Sequence, residues 1–200
     1  MANLQALTIS PVTGEAIRQY LDDLAQLRIE VFREFPYLYD GDLDYEQHYL
    51  ETYIKSPRAV VILAKAGDQI VGASTALPLA DETAAFQKPF VEQGWDIERI
   101  FYFAESVIKK DYRGGGTGAK FFAAREAHAA AVGDFNVFCF AAVDRPADHP
   151  LCPAGYRPLD AFWQRQGYVK HPELKMYLFW KDLNEAVETQ KSLTFWVKTI

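Results

Sequence analysis

The sequence predicts a mixed α/β fold in one domain spanning residues 1–200. Three observations predict it. Two N-terminal stretches carry apolar residues at helical spacing, a run of β-branched and apolar residues folds back about a Gly-Asp turn, and a buried-strand pattern passes through consecutive glycines into an alanine-rich helix. Two hundred residues, half of them apolar, bury one good core and are too few for two ordinary domains.

The elements follow in order. After a short strand at Leu7–Ile9, residues Ile17, Tyr20, Leu21, Leu24, Leu27 and Val31 mark one face of a helix with Thr13 available as its cap. It stops near Phe35-Pro36, because proline disfavours helical backbone in the residue before it and has no N–H to donate. A second helix starts near Asp44, with Tyr45, Tyr49, Tyr53 and Ile54 on one side. Ala59–Lys65 and Gln69–Leu77 form a hairpin around Gly67-Asp68, closed by Pro78. A polar stretch from Asp81 to Gly94, partly helical, leads to a strand at Ile100–Lys109. The helix Thr117–Ala131 comes next, rich in the best helix former, and then a buried strand at Asn136–Val143. A proline-rich loop, Asp144–Pro158, precedes a short helix, Leu159–Gln166, ended by Gly167. The last strands are Met176–Lys181 and Ser192–Val197.

Charge and composition exclude several functions. A formal charge of -6 argues against a nucleic-acid surface, which needs clustered Lys and Arg. Met1–Ser10 lacks a cationic leader pattern, and no stretch approaches the roughly 18 apolar residues of a membrane span, so a cytoplasmic location without membrane contact is expected. Cys139 and Cys152 are expected as thiols. His149-Pro-Leu-Cys152 lacks the further ligands a metal needs, so no metal is expected, and Cys139 lies in an apolar strand where desolvation makes a poor nucleophile.

The chemistry concentrates at Arg113-Gly114-Gly115-Gly116-Thr117-Gly118. A glycine turn between a strand and a helix leaves several N–H groups pointing outward, and the helix dipole adds positive potential. Lys109, Lys110 and Arg113 against Asp111 give the segment a local charge of about +2, as an anion site wants. A tight turn with glycines for conformational reasons alone is the competing reading. The loop has no Gly-Lys-Ser/Thr ending, and no acidic residue closes a second strand about 20 residues on, so the two commoner nucleotide loops fail.

The order Arg-x-x-Gly-x-Gly, carried by Arg113, Gly116 and Gly118, resembles motif A of the GNAT superfamily, the N-acetyltransferases that use acetyl-CoA. The order of elements and the helix ending Phe162-Trp163-Gln164-Arg165-Gln166-Gly167-Tyr168 extend the resemblance over nearly the whole chain. It implies a central mixed, mostly antiparallel sheet of six to seven strands, flanked by helices and splayed between its fourth and fifth strands, Ile100–Lys109 and Asn136–Val143. It also implies that backbone groups of Val107 and Lys109 pair with the pantetheine arm of CoA. The amides of Gly114, Gly115, Gly116, Thr117, Gly118 and Ala119 would hold the pyrophosphate, and the Val107 N–H would be the oxyanion donor. The implied activity is acetyl transfer from acetyl-CoA to a primary amine of a small molecule by direct attack.

Such a transfer must deprotonate the amine, stabilise an oxyanion and return a proton to the thiolate. Glu105 is the candidate base: strand alternation places Phe101, Phe103, Glu105 and Val107 on one face, a carboxylate among apolar neighbours. The competing reading is a structural carboxylate paired to an Arg or a backbone group. In the resemblance, the position of the usual tyrosine acid holds Trp163, whose indole N–H is no useful acid. Tyr156, and after it Tyr168, are the substitutes, though a thiolate with a pKa of roughly 8.5 also leaves unaided. The segment Phe35–Asp44 joins the first two helices, and Tyr37, Tyr39, Asp40 and Asp42 either hold a cationic amine or form a solvated acidic turn. Arg145 and Arg157 on the opposite loop favour a carboxylate, and an amino acid or similar zwitterion satisfies both. The second functional reading, supported by Trp163, is a CoA-binding sensor without transferase activity. The chain is expected as a monomer or homodimer, with Ser192–Ile200 either pairing across the dimer or finishing the sheet.

Overall fold

Val60 to Ala64 is an unbroken apolar run and is wholly buried, because helices cover both faces of the sheet to which it belongs. The computed structural model describes residues 6–200; Met1–Gln5, the start of the segment read as lacking a leader, lie outside the described residues. The strands are β1 (Thr8–Val12), β2 (Val60–Ala66), β3 (Gln69–Pro78), β4 (Ile100–Ile108), β5 (Val137–Val143), β6 (Val169–Trp180) and β7 (Thr189–Thr199). They form one sheet in the order β1-β2-β3-β4-β5-β7-β6, antiparallel throughout except for β4 and β5. Helices α1 (Leu21–Phe32), α2 (Leu43–Lys55) and α3 (Ala84–Glu92) pack on one face around Leu24, Leu50, Tyr53 and Phe90. Helices α4 (Thr117–Val132) and α5 (Asp160–Arg165) pack on the other around Phe101, Phe103, Phe121 and Trp196. Among the described residues no helix is long and apolar enough to cross a membrane.

Local chemistry moves some expected boundaries. Thr13 precedes a 3-10 segment, Gly14–Tyr20, that runs into α1, and its side chain makes no capping bond. Helix α2 starts one residue before Asp44, capped by Asp42, whose carboxylate accepts the Tyr45 N–H at 2.9 Å. Strand β6 starts well before Met176. Pro172 hides its pattern in the sequence, but an edge strand tolerates proline and the register shifts there, between His171 and Lys175.

The decisive irregularity lies in β4. Thr75 pairs with Glu105 and Leu77 with Tyr102, so two steps along β3 answer three along β4, and β4 carries one extra residue. The extra residue reverses the alternation. Phe101 and Phe103 face α4, whereas Ala104 and Val107 pack on the α1–α3 side and Glu105 pairs with Arg28 of α1. The expectation that Phe101, Phe103, Glu105 and Val107 share one face is therefore corrected. Strand β5 pairs with β4 only at Ile100–Val137, Phe101–Phe138 and Tyr102–Cys139, after which the two diverge.

Arg145, in the loop after β5, ties three distant segments together. Its guanidinium donates twice to Asp182 (2.7 and 2.9 Å), and to the carbonyls of Pro36 and Tyr37 (2.7 Å each). It is therefore a buried structural cation and not a wall of an acceptor site, as the sequence suggested. Arg145→Leu should destabilise the protein by about 3 kcal/mol in urea denaturation, because Asp182 loses its guanidinium. That is the low end for a broken buried pair, since Lys191 Nζ stays 3.5 Å from Asp182.

Candidate active site

The glycine loop carries a row of unanswered donors. Among the described residues, the N–H groups of Gly114 through Ala119 have no backbone or side-chain acceptor, and the first amide to find one is that of Lys120, which donates to Gly116 O at 3.2 Å. Gly114 and Gly116 have φ of +87° and +80°, which glycine adopts without strain, and a Cβ at Gly114, Gly115 or Gly116 would meet no protein atom within 4 Å. The loop is open to an anion. Gly118 has a different reason: a Cβ there would lie 3.2 Å from the Phe162 ring, so this glycine lets α5 approach α4.

The expected cationic field is reduced by partners on and beside α1. Lys109 Nζ lies 2.8 Å from Glu30, and Arg113 reaches both oxygens of Glu34 (2.8 and 2.9 Å) while its Nε donates to Ile108 O (2.8 Å). Arg113 thus braces the loop from behind. With Glu30 and Glu34 counted, the expected charge of +2 becomes 2 - 2 = 0, and what attracts an anion here is the row of amides and the helix dipole.

Beside the loop, β4 runs on past its last pairing with β5 and presents unpaired backbone to the splay. The Lys109 N–H donates to Val71 O at 2.9 Å, so it faces β3. By the period of two along an antiparallel ladder, Val107, opposite Ala73, faces β3 as well. The backbone groups of Ser106 and Ile108 therefore face the splay. The backbone groups of Val107 and Lys109, expected to pair with the arm, and the Val107 N–H, expected as oxyanion donor, are thus turned toward β3 and away from the splay. The extra residue in β4 is fixed from both sides: the Glu105 carbonyl accepts from Ser74 Oγ (2.8 Å) and from Arg125 Nη1 (3.3 Å), a buried guanidinium lying over Phe103 and Phe122. Burial lowers Arg125 to about 10.

The Glu105 side chain enters a buried polar network. Arg28 pairs with Glu46 and with Glu105 and lies over the Tyr49 ring at 4.5 Å. Burial alone would lower the Arg28 pKa, but Glu105 and Glu46 raise it well above its ordinary value. Tyr53 OH lies 3.5 Å from the second Glu105 oxygen and 3.0 Å from Tyr49 OH.

No family model matches the sequence, and no curated protein does. Solved structures do. An acetyltransferase from Thermus thermophilus is 19% identical, with 98% of this chain and 99% of that one covered at a TM-score of 0.56. A ribosomal-protein-alanine N-acetyltransferase from Brucella melitensis is 16% identical, covering 96% and 99% at a TM-score of 0.60. NAA60 of Arabidopsis thaliana in complex with acetyl-CoA is 12% identical, covering 98% and 99% at a TM-score of 0.63. The fold is that of the GNAT acetyltransferases.

Within this GNAT fold the acceptor candidates separate. Asp40 pairs with Lys181 at 2.6 Å and with Arg33 at 3.4 Å, and Asp42 caps α2. Burial, followed by the Glu46 charge, pushes the Tyr39 phenol far up, and its ring packs where a Cβ on Gly41 would lie. These three residues build the turn. Tyr37 remains in the centre: burial and then the Glu105 charge push its phenol up to about 12. Tyr156 stands edge-on to Phe35 at 4.6 Å, its phenol raised by burial. Trp163 packs against Phe140 and Trp196, and Tyr168 is 1% exposed, with burial raising its phenol far beyond the range of a useful acid.

Three charged residues of the network were missed in the sequence. Arg28 and Glu46 carried a readable signal, since each occupies a core-facing position of an amphipathic helix, beside Leu24 and Leu27 and beside Leu50 and Tyr53. Glu82 carried none. It follows β3 in the segment read as polar, yet it is 6% exposed. One of its oxygens accepts the Thr83 N–H at 3.1 Å and the other has no partner among the described residues. Burial, then the Glu105 charge, pushes its carboxyl up to about 7. Between the ordinary 4.5 and about 7 the folded chain holds a proton that the unfolded chain releases, so Glu82 erodes stability as pH rises through that window. Glu82→Gln should therefore melt close to the native protein at pH 4 and above it at pH 8, where the gain is about 3 kcal/mol at 1.36 kcal/mol per unit.

Proposed function

We propose that this chain transfers an acetyl group from acetyl-CoA to a primary amine of a small molecule, by direct attack of the amine on the thioester. The observation that carries the reading is the row of unpartnered amides from Gly114 to Ala119, open to solvent at the N-terminus of α4 and continuous with the splay between β4 and β5. Those amides would hold the pyrophosphate, and the backbone of Ser106 and Ile108 would pair with the pantetheine arm. The Ser106 N–H would then stabilise the oxyanion that forms on the acetyl group. Glu105 lies one residue away on the α1–α2 side, with Tyr37, Tyr49 and Tyr53 around it, and the amine would approach from that side. The fold supports the reading, since NAA60 was solved with acetyl-CoA. Arg28 holds the Glu105 carboxylate in place, which suits it to receive an ammonium by position.

A second reading, a CoA-binding sensor without transferase activity, is favoured by one observation: Trp163, at the position where the family carries its tyrosine acid, is half-buried against Phe140 and Trp196.

Gly115 is the clean probe of the donor site, because its backbone suits any residue and its Cβ would point into open space. The native protein should gain about 2.7 kcal/mol of stability at 100 times the acetyl-CoA dissociation constant. Gly115→Glu should keep its melting point without ligand and lose that protection. Equal protection in the variant would move the ligand elsewhere. Amine-dependent release of free thiol then separates enzyme from sensor.

A further inference from the structure

We propose that Glu82 is a second catalytic carboxylate of this site, the group that takes the proton from the incoming acceptor ammonium; the proposal rests on the acetyltransferase reading above. Besides Arg28 Nη1, which is held only by its ion pair with Glu105, two buried polar atoms of this region have no hydrogen-bond partner among the described residues. Thr75 Oγ1 is one, on the residue paired directly with Glu105 across β3 and β4, and the unpartnered Glu82 oxygen is the other. Both belong to side chains at least nine-tenths buried. Buried polar atoms are rarely left unpaired, and two such atoms near the Arg28–Glu105 ion pair mark a place where a ligand completes the bonding.

Charge specifies the ligand. Arg28 contributes +1 and Glu46 and Glu105 contribute -1 each, so the core of the network sums to +1 - 2 = -1 before Glu82 ionises. The groups facing Glu82 are Arg28 from α1, Tyr49 and Tyr53 from α2, and Tyr102 and Glu105 from β4. One cation is already saturated by two carboxylates, and the remaining neighbours are phenols with aromatic faces. An alkylammonium supplies what is missing: positive charge and several donors for Thr75 Oγ1 and the Glu82 carboxylate.

Glu105 is poorly placed to take the proton itself. One of its oxygens is bound to Arg28 and the other faces Tyr53 OH, and protonation would strand a buried guanidinium. Among the described residues Glu82 has an oxygen without a hydrogen-bond partner and no ion-paired cation to abandon. One ammonium proton passes to that oxygen, and the freed nitrogen lone pair forms the C–N bond to the acetyl carbon while the carbonyl π pair moves to oxygen. When the carbonyl re-forms, the C–S bond breaks and sulfur leaves as thiolate. The second nitrogen proton goes to the thiolate or solvent, and Glu82 later returns its proton to water. Glu105 acts as a positioning residue.

The test uses the full chain, acetyl-CoA and a panel of amino acids and diamines, with thiol release followed from pH 5.5 to 9. For the native protein kcat/KM should rise with pH through an inflection near 7, far below the titration of the amines. Glu82→Gln should lose that inflection and about 100-fold in kcat, with the KM for acetyl-CoA unchanged. Glu82→Asp should recover part of the rate at a shifted inflection, and Glu105→Gln should keep the inflection at a lower rate. Independently of turnover, the infrared difference between native and Glu82→Gln protein should show a carboxyl band that titrates near 7. Glu82→Gln or Glu82→Asp with native rate and inflection, or a Glu82 band titrating at an ordinary carboxyl pH, overturns the proposal alone. Binding of acetyl-CoA with no amine turned over by the native protein overturns the acetyltransferase reading, and the proposal with it.

Discussion

The extra residue in β4 is the constraint on which the site depends. A regular strand would have kept Glu105 on the face of Phe101 and Phe103, against the aromatic packing of α4 and away from Arg28. The added residue turns Glu105 toward Arg28 and sets the backbone of Ser106 and Ile108 toward the splay. The bulge is held at the Glu105 carbonyl by two donors, Ser74 from the neighbouring strand and Arg125 from α4. Arg125 has no carboxylate partner among the described residues and instead lies over two phenylalanine rings with its Nε on Phe121 O, an arrangement that costs solvation but fixes the Glu105 carbonyl.

Two kinds of electrostatics meet at that point. On the loop side the protein offers backbone dipoles, because Glu30 and Glu34 neutralise the cations Lys109 and Arg113. A loop braced by its own arginine keeps its amides in place without a strongly positive surface, which fits an acidic protein. On the acceptor side the protein offers an excess of negative charge in a buried setting, where Coulomb interactions are strong. Under the proposed function the donor would be held by geometry and the acceptor by charge. Glu82 marks this division, since a buried carboxyl raised to about 7 lowers stability at neutral pH, and a core without a task would hold an apolar residue there.

Much of the architecture was legible because it follows from short-range patterns. The hairpin of β2 and β3 and the helix after the glycines lie within a residue or two of their expected bounds, since β-branched runs, a Gly-Asp turn and an alanine-rich stretch act locally. Pro172 concealed the first half of β6 because the tolerance of an edge strand for proline depends on which strands lie beside it. Arg145 looked available for a substrate and is committed to Asp182, which lies far along the chain.

By itself, then, the sequence determined the strand, the glycine turn and the helix that together expose the amides from Gly114 to Ala119, because a turn and a helix terminus are set by the residues that form them. Only the tertiary structure decided which backbone groups face the splay, that Arg113 and Lys109 are neutralised, and that Glu82 stands with an open oxygen beside Tyr49, Tyr53 and Glu105. The physical reason is range. A single added residue in β4 changes which face every later side chain takes, and the charge state of Glu82 is set first by burial in a tertiary core and, beyond the local Thr83 N–H, by Glu105 of β4 and Arg28 of α1, which lie far from it in the sequence.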